Sequence, residues 1–165
     1  MPEIIQQQDT RRAFVDALNE LAETDPNIIC VIPDVGFNYL DDPKNKFKVI
    51  NTGVNEQFST IFAASLSLQG WRVYYYTMIN FALFRNGEMV RNAVVCHKAP
   101  VTILGVKGSS SYRFLGFSHN LLHEKEDTNF CENIGLEWHK LTSPSAVKDV
   151  IRDGYEHPRA MYIRL

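Results

Sequence analysis

Apolar and polar positions along this chain follow two rhythms that keep exchanging places. Over residues 10–24, Ala13, Phe14, Ala17, Leu18 and Leu21 recur at helical spacing, with Thr10 as the expected cap. Residues 28–32 then form a short run rich in β-branched side chains that ends at Pro33 and Asp34. Further strands are expected at 47–50, 72–76, 101–106, 136–141 and 160–164. Helices are expected at 56–70, 81–97 and 144–155. Gly70 and Pro100 mark two of the helix stops, and residues 107–123 read as a long irregular segment. Strands that are apolar on both faces and separated by helices predict an α/β fold, a three-layer α/β/α sandwich with a mainly parallel sheet. No internal repeat or linker interrupts the pattern, so residues 1–165 are expected to form one domain.

Composition narrows the function classes. The chain has 165 residues, of which 45% are hydrophobic and 12% aromatic, enough for a sizeable core. Seventeen basic and nineteen acidic residues leave a net charge of −2 with no run of Lys and Arg, which argues against nucleic acid as a partner. No apolar run has bilayer-spanning length and the start does not resemble a signal peptide, so no membrane partner is expected. Cys30, Cys96 and Cys131 are odd in number and widely spaced, which fits reduced thiols in the cytoplasm better than disulfides or zinc; no metal-binding set is expected.

In open parallel sheets, ligands sit beyond the carboxyl ends of the strands. The residues that follow the expected strands include Asp34, Asn38, Glu56, Phe81, Phe84, Lys107, Arg113, His119 and Arg164. Glu56 is the most informative of them. It stands in the first turn of a helix whose remaining residues are apolar or small, just after Gly53. An acid there serves a helix dipole, or it is held at the lip of a buried site for proton chemistry.

Several segments, in order, resemble the pyrimidine-binding domain of thiamine-diphosphate enzymes, most closely that of the transketolase family. Thr10 to Asp25 looks like its opening helix, and Val31-Ile32-Pro33-Asp34 like the strand and acid after it. Gly53-Val54-Asn55-Glu56 looks like its Gly-x-x-Glu signature, and Tyr76-Thr77 through Phe81-Ala82-Leu83-Phe84 like its aromatic segment. Gly116-Phe117-Ser118-His119 resembles its Gly-x-Thr-His turn, and Ala160 to Arg164 its closing strand. The resemblance implies that Glu56 hydrogen-bonds a ring nitrogen of the cofactor's aminopyrimidine and activates it. It implies that Phe81 stacks on that ring and that Phe84 lines the wall. By the same resemblance His119 contacts a sugar hydroxyl or the donor carbonyl, Lys107 and Arg164 bind the substrate's terminal phosphate, and Asp34 and Asn38 line the thiazolium side.

Three departures from the family pattern shape the expected function. Where the family carries an acid before the Gly-x-Thr-His turn, this chain reads Phe114-Leu115, so the sugar is expected to lack or mask the hydroxyl that the acid reads. Ser109 to Arg113 is also atypical. The chain has no Gly-Asp-Gly sequence, with which the family holds magnesium and the diphosphate. The expectation is therefore a split enzyme, in which a separate diphosphate-binding subunit supplies magnesium and the phosphates, as a heterotetramer of two of each chain. The reaction implied is transfer of a ketol unit between sugars or sugar phosphates. Two alternatives stay open on the residues: a subunit of a 2-oxo acid dehydrogenase or decarboxylase, and a non-catalytic assembly module.

Overall fold

The computed structural model describes residues 2–108 and 110–165, with the side chains of residues 10–108 and 112–165. Ser109, the first residue of the atypical stretch, lies outside the described residues. Six strands form one sheet: β1 (Ile28–Ile32), β2 (Lys48–Asn51), β3 (Arg72–Met78), β4 (Val101–Val106), β5 (Glu137–Lys140) and β6 (Met161–Arg164). Their order across the sheet is β2-β1-β3-β4-β6-β5, and every neighbouring pair is parallel.

The two-residue period of the strands builds two cores. Cys30, Ile32, Tyr74, Tyr76, Leu104 and Ile163 face one side, under α1 (Pro2–Ala22) and α5 (Pro144–Glu156). Val31, Val73, Tyr75, Ile103 and Tyr162 face the other, under α2 (Glu56–Leu68), the helical segment after β3 and α4 (Glu126–Ile134). β1, β4 and β6 are buried at every position, Thr102 of β4 and Arg164 of β6 included, because these central strands are covered on both faces. Each fully buried Leu, Ile or Phe contributes roughly 1.5–3 kcal/mol, so these two layers supply most of the stabilisation. The architecture is the expected three-layer α/β/α sandwich.

Helix ends follow local chemistry. Asn55 caps α2, its side chain accepting from the Phe58 N–H, and Ser143 caps α5 ahead of Pro144 in its first turn. Thr10 is not a cap: α1 begins at Pro2 and Thr10 lies inside it, 1% exposed. The segment 107–123, expected to be irregular, carries 3₁₀ turns over Ser110–Ser118, interrupted at Gly116 with φ 62°. The helix expected at 81–97 is broken into wide π-type turns, Asn80–Phe84 and Val90–Cys96, on either side of a short α turn, α3 (Gly87–Met89). Asn86 causes the break. It is 1% exposed, and its amide donates to Thr60 Oγ1 and to the Ala82 carbonyl, fixing a non-helical backbone there. α4 was not anticipated from the sequence. Among the described residues no helix is long and apolar enough to cross a membrane.

Gly105 in β4 sits under the Tyr162 ring, and a Cβ there would lie 2.6 Å from the Tyr162 hydroxyl. That hydroxyl donates to Asp127 at 2.8 Å and is itself fully buried, so the ring has no room to retreat. Gly105→Ala is expected to lower unfolding free energy by about 1–3 kcal/mol in a denaturant titration, the usual cost of overpacking a tight core.

Candidate functional site

The sheet order places a topological switch between β1 and β3: the chain leaves β1 towards β2 on one side and later returns to β3 on the other. Loops diverge at such a point and leave a crevice beyond the carboxyl ends. Three loops converge there: 33–38 after β1, 52–55 after β2 and 79–84 after β3. They carry Asp34, the approach to Glu56, and Phe81 with Phe84.

Asn51, the last residue of β2, ties two of these loops together. Its side-chain oxygen accepts from the backbone N–H of Asp34 at 3.0 Å and of Gly53 at 2.9 Å. Gly53 (φ 71°) then turns the chain into α2, where Thr52 Oγ1 and Ser59 Oγ pair at 2.6 Å. The face that α2 turns to the sheet is built from Ser59, Thr60, Ala63, Ala64 and Ser67, and such small side chains let the helix settle close. Glu56, its first residue, is thereby drawn in to 5% exposure.

The partner of that buried carboxylate is Arg85, whose Nη1 donates to Glu56 Oε1 at 2.6 Å. The guanidinium also lies 4.0 Å from the centre of the Phe81 ring. Phe81 in turn meets His119 edge to face at 4.9 Å, and Tyr112 stacks on the same imidazole at 5.9 Å. Asn80 holds this aromatic turn against the loop that follows β4, donating to the Phe117 carbonyl at 2.9 Å. An open pocket of about 320 Å³ lies between the two, and Phe81, Phe84, Arg85, Phe117 and Leu122 are among its lining residues. Gly108 fixes the distance between the halves of that loop. A Cβ at Gly108 would fall 2.0 Å from the His119 carbonyl oxygen, so only glycine lets His119 stand where it does.

The structure therefore brings Glu56, Phe81 and His119 into one chain of contacts, with Phe84 beside them, edge-on to Phe130 at 6.0 Å. Asp34 and Asn38 are exposed on the neighbouring loop, both with positive φ (58° and 68°). Lys107 and Arg164 gather elsewhere, around Glu124. Lys107 reaches Glu124 at 3.3 Å and Lys140 bonds the same carboxylate. Arg164, 4% exposed, contacts Glu124 at 3.1 Å and Asp127 at 3.4 Å. Arg85, Asn51 and Asn86 went unnoticed in the sequence. Each is a polar residue one or two positions from a predicted feature, and only contacts across 17 to 29 residues give them meaning.

Residues 6–165 match the model of the transketolase pyrimidine-binding domain. The chain belongs to that family. One subunit of the apulose-4-phosphate transketolase of Phocaeicola vulgatus is 32% identical over 117 residues, covering 69% of this chain and 38% of that protein. A split-gene transketolase, described as an inactive β4 tetramer, superposes with a TM-score of 0.80 at 25% identity, over 94% of this chain and 50% of that one. A transketolase from Pichia stipitis in complex with sedoheptulose-7-phosphate shares the fold, with a TM-score of 0.76 at 16% identity over 94% of this chain and 25% of that one. This chain thus spans half or less of each of these relatives. Membership of the transketolase family implies thiamine diphosphate as the cofactor.

Around Glu124 the electrostatics are one-sided. The Lys140 hydrogen bond, with Arg164 and Lys107 adding their charge, holds its carboxyl down at about 2, against a smaller opposing effect of burial. A carboxyl depressed by folding stabilises the native state above its unfolded value, near 4.5, and that contribution disappears as pH falls to about 2. Glu124→Gln is expected to flatten the loss of stability across this acid window, measured as melting temperature against pH, with little change in its slope above pH 5.

Proposed function

We propose that this chain is the pyrimidine-binding subunit of a split, thiamine-diphosphate-dependent transketolase in which Glu56 activates the cofactor. One observation carries the reading: a buried carboxyl oxygen and an aromatic ring face lie within the span of a single guanidinium. An aminopyrimidine needs both, a hydrogen-bonding group at its edge and an apolar plane against its face. That a flat, nitrogen-bearing plane already lies between Glu56 and Phe81 supports the fit.

Thiamine diphosphate supplies, when bound, the carbon nucleophile that takes up and passes on a ketol unit. Glu56, 5% exposed at the start of α2, would hold a ring nitrogen of the pyrimidine with its carboxyl, where the proton the bound cofactor's chemistry needs would be exchanged. Phe81 provides the stacking face, worth on the order of 1 kcal/mol beyond area burial, and Phe84 closes the wall behind it. His119 is oriented by Ser118 Oγ at 2.7 Å from Nδ1 and by its two aromatic neighbours, and it meets the donor's hydroxyl or carbonyl oxygen. Asp34 and Asn38 flank the thiazolium side. Lys107 and Arg164, with their shared Glu124, form the cationic end that receives a substrate phosphate. The substrate is a sugar or sugar phosphate, and Phe114-Leu115 favours one without the hydroxyl that an acid would read there.

Magnesium and the diphosphate are assigned to a partner subunit, because this chain has no Gly-Asp-Gly sequence. Two surfaces support assembly. Phe117 and Leu122, 76% and 63% exposed, border the pocket beside Phe81, where a chain gripping the cofactor's other end has to sit. Val54, Phe58, Ile61 and Leu68 form an outward apolar stripe at and along α2, and residues 57–70 carry no charged side chain. We assign that stripe to a second copy of this chain, in keeping with the β4 tetramer of its structural relative. The complete enzyme would then hold two of each subunit. Three free thiols, Cys30 and Cys131 of them buried, suit the cytoplasm.

The test is reconstitution. The chain alone is expected to be inactive, and activity on sugar phosphates is expected on mixing with a subunit that bears Gly-Asp-Gly. In the mixture Glu56→Gln is expected to lower kcat by about 10²-fold or more, the scale of a lost proton-transfer group. A nearly intact rate would refute the role given to Glu56, and turnover of 2-oxo acids alone would refute the substrate class.

A further inference from the structure

Arg85 occupies space that the proposed chemistry needs. Its guanidinium bonds Glu56 Oε1 at 2.6 Å and lies 4.0 Å from the centre of the Phe81 ring. A guanidinium is planar, carries donors along its edge, pairs with carboxylates and stacks on aromatic faces. The aminopyrimidine makes the same two demands, of the same oxygen and the same ring face. The two planes cannot lie there together. We infer that Arg85 is an internal occupant of the pyrimidine slot, closing it in the uncomplexed chain and swinging out to admit the cofactor's ring. The inference rests on the assignment of that slot proposed above.

The construction suits such a part. The backbone of Arg85 is held on both sides: its N–H donates to the Asn80 carbonyl at 3.0 Å, and its carbonyl accepts from Gln57 Nε2 at 3.5 Å. Asn86, next along, is locked in the core by Thr60 and Ala82. The side chain is the free part. It is 45% exposed, borders the open pocket, and is held at its tip by the Glu56 hydrogen bond and the Phe81 ring. Glu56, by contrast, is almost fully buried, and a buried carboxylate with no partner is expensive. Arg85 meets that need while the slot holds nothing else, and the cofactor's ring meets it afterwards. An occupant of this kind lowers apparent cofactor affinity by the fraction of chains in which the slot is free.

The assembled enzyme, with its diphosphate-binding subunit, is titrated with thiamine diphosphate by calorimetry, comparing the native chain with Arg85→Ala and Arg85→Lys. The melting temperature of each chain alone is measured beside it. Arg85→Ala is expected to bind the cofactor about tenfold more tightly, as removal of a 90% occupant would give, while the free chain melts at lower temperature. Arg85→Lys, which keeps the charge without the plane, is expected to fall between. A merely structural arginine would weaken binding and stability together. Unchanged or weaker binding in both variants, with normal binding by the native chain, overturns the inference and leaves the slot assignment standing. Failure of every assembled form to bind thiamine diphosphate overturns the slot assignment, and the inference with it.

Discussion

Six strands running in one direction impose a constraint that the rest of the molecule obeys: every loop that follows a strand leaves the sheet by the same edge. The order β2-β1-β3 then splays the loops after β1 and β3 apart, and the polar groups they carry surround the gap. Glu56 owes its burial to this geometry. It begins the helix that follows an edge strand, and that helix lies back across the sheet on serine, threonine and alanine, which bring its first turn down to the rim. A bulkier inner face would hold α2 away and leave the carboxylate in water.

The same helix is unusual in what it turns outward. Its inner positions are small and partly polar, while Phe58, Ile61 and Leu68 stand at 44–52% exposure. Amphipathic surface helices ordinarily do the reverse. The inversion follows if two requirements meet on one element: close approach to the sheet on one side and a covering surface on the other. Across the sheet, α1 and α5 follow the ordinary pattern and pack Phe14, Leu18, Val147 and Ile151 inward. The two helical layers of the sandwich therefore pack by different rules.

The fold was legible because its signals are local. Apolar runs such as Ile28–Ile32, and Val101–Val106 with Thr102 as its one polar residue, announce central parallel strands, and the helical repeats between them announce the crossovers. What escaped notice depends on fewer apolar residues or on distant partners. α4 offers the core little beyond Phe130, Cys131 and Ile134; its acidic first turn and the left-handed Gly135 at its end are the signs that mark it. The break at Asn86 arises from a bond to Thr60, 26 residues away, and no periodicity records it. Within the candidate site, Glu56, Phe81 and His119 fall among the residues that follow strand ends, and the resemblance to the transketolase family singles them out from that set. Arg85 was not legible, since an arginine after an aromatic pair looks like any solvated charge until the acid it faces is known. Lys107 and Arg164 were foreseen as cations, but not the carboxylate of Glu124 that draws them together.

The outward stripe on α2 also bears on how such a protein is made. An uncharged, apolar helix face of this size is tolerable only while something lies over it. With a second copy of the chain as that cover, each molecule made also supplies the surface that shields its neighbour. Folding and pairing are thereby linked through concentration: dilution that separates the copies would bare the helix face, and the loss would show first as material stuck to surfaces rather than as missing catalysis.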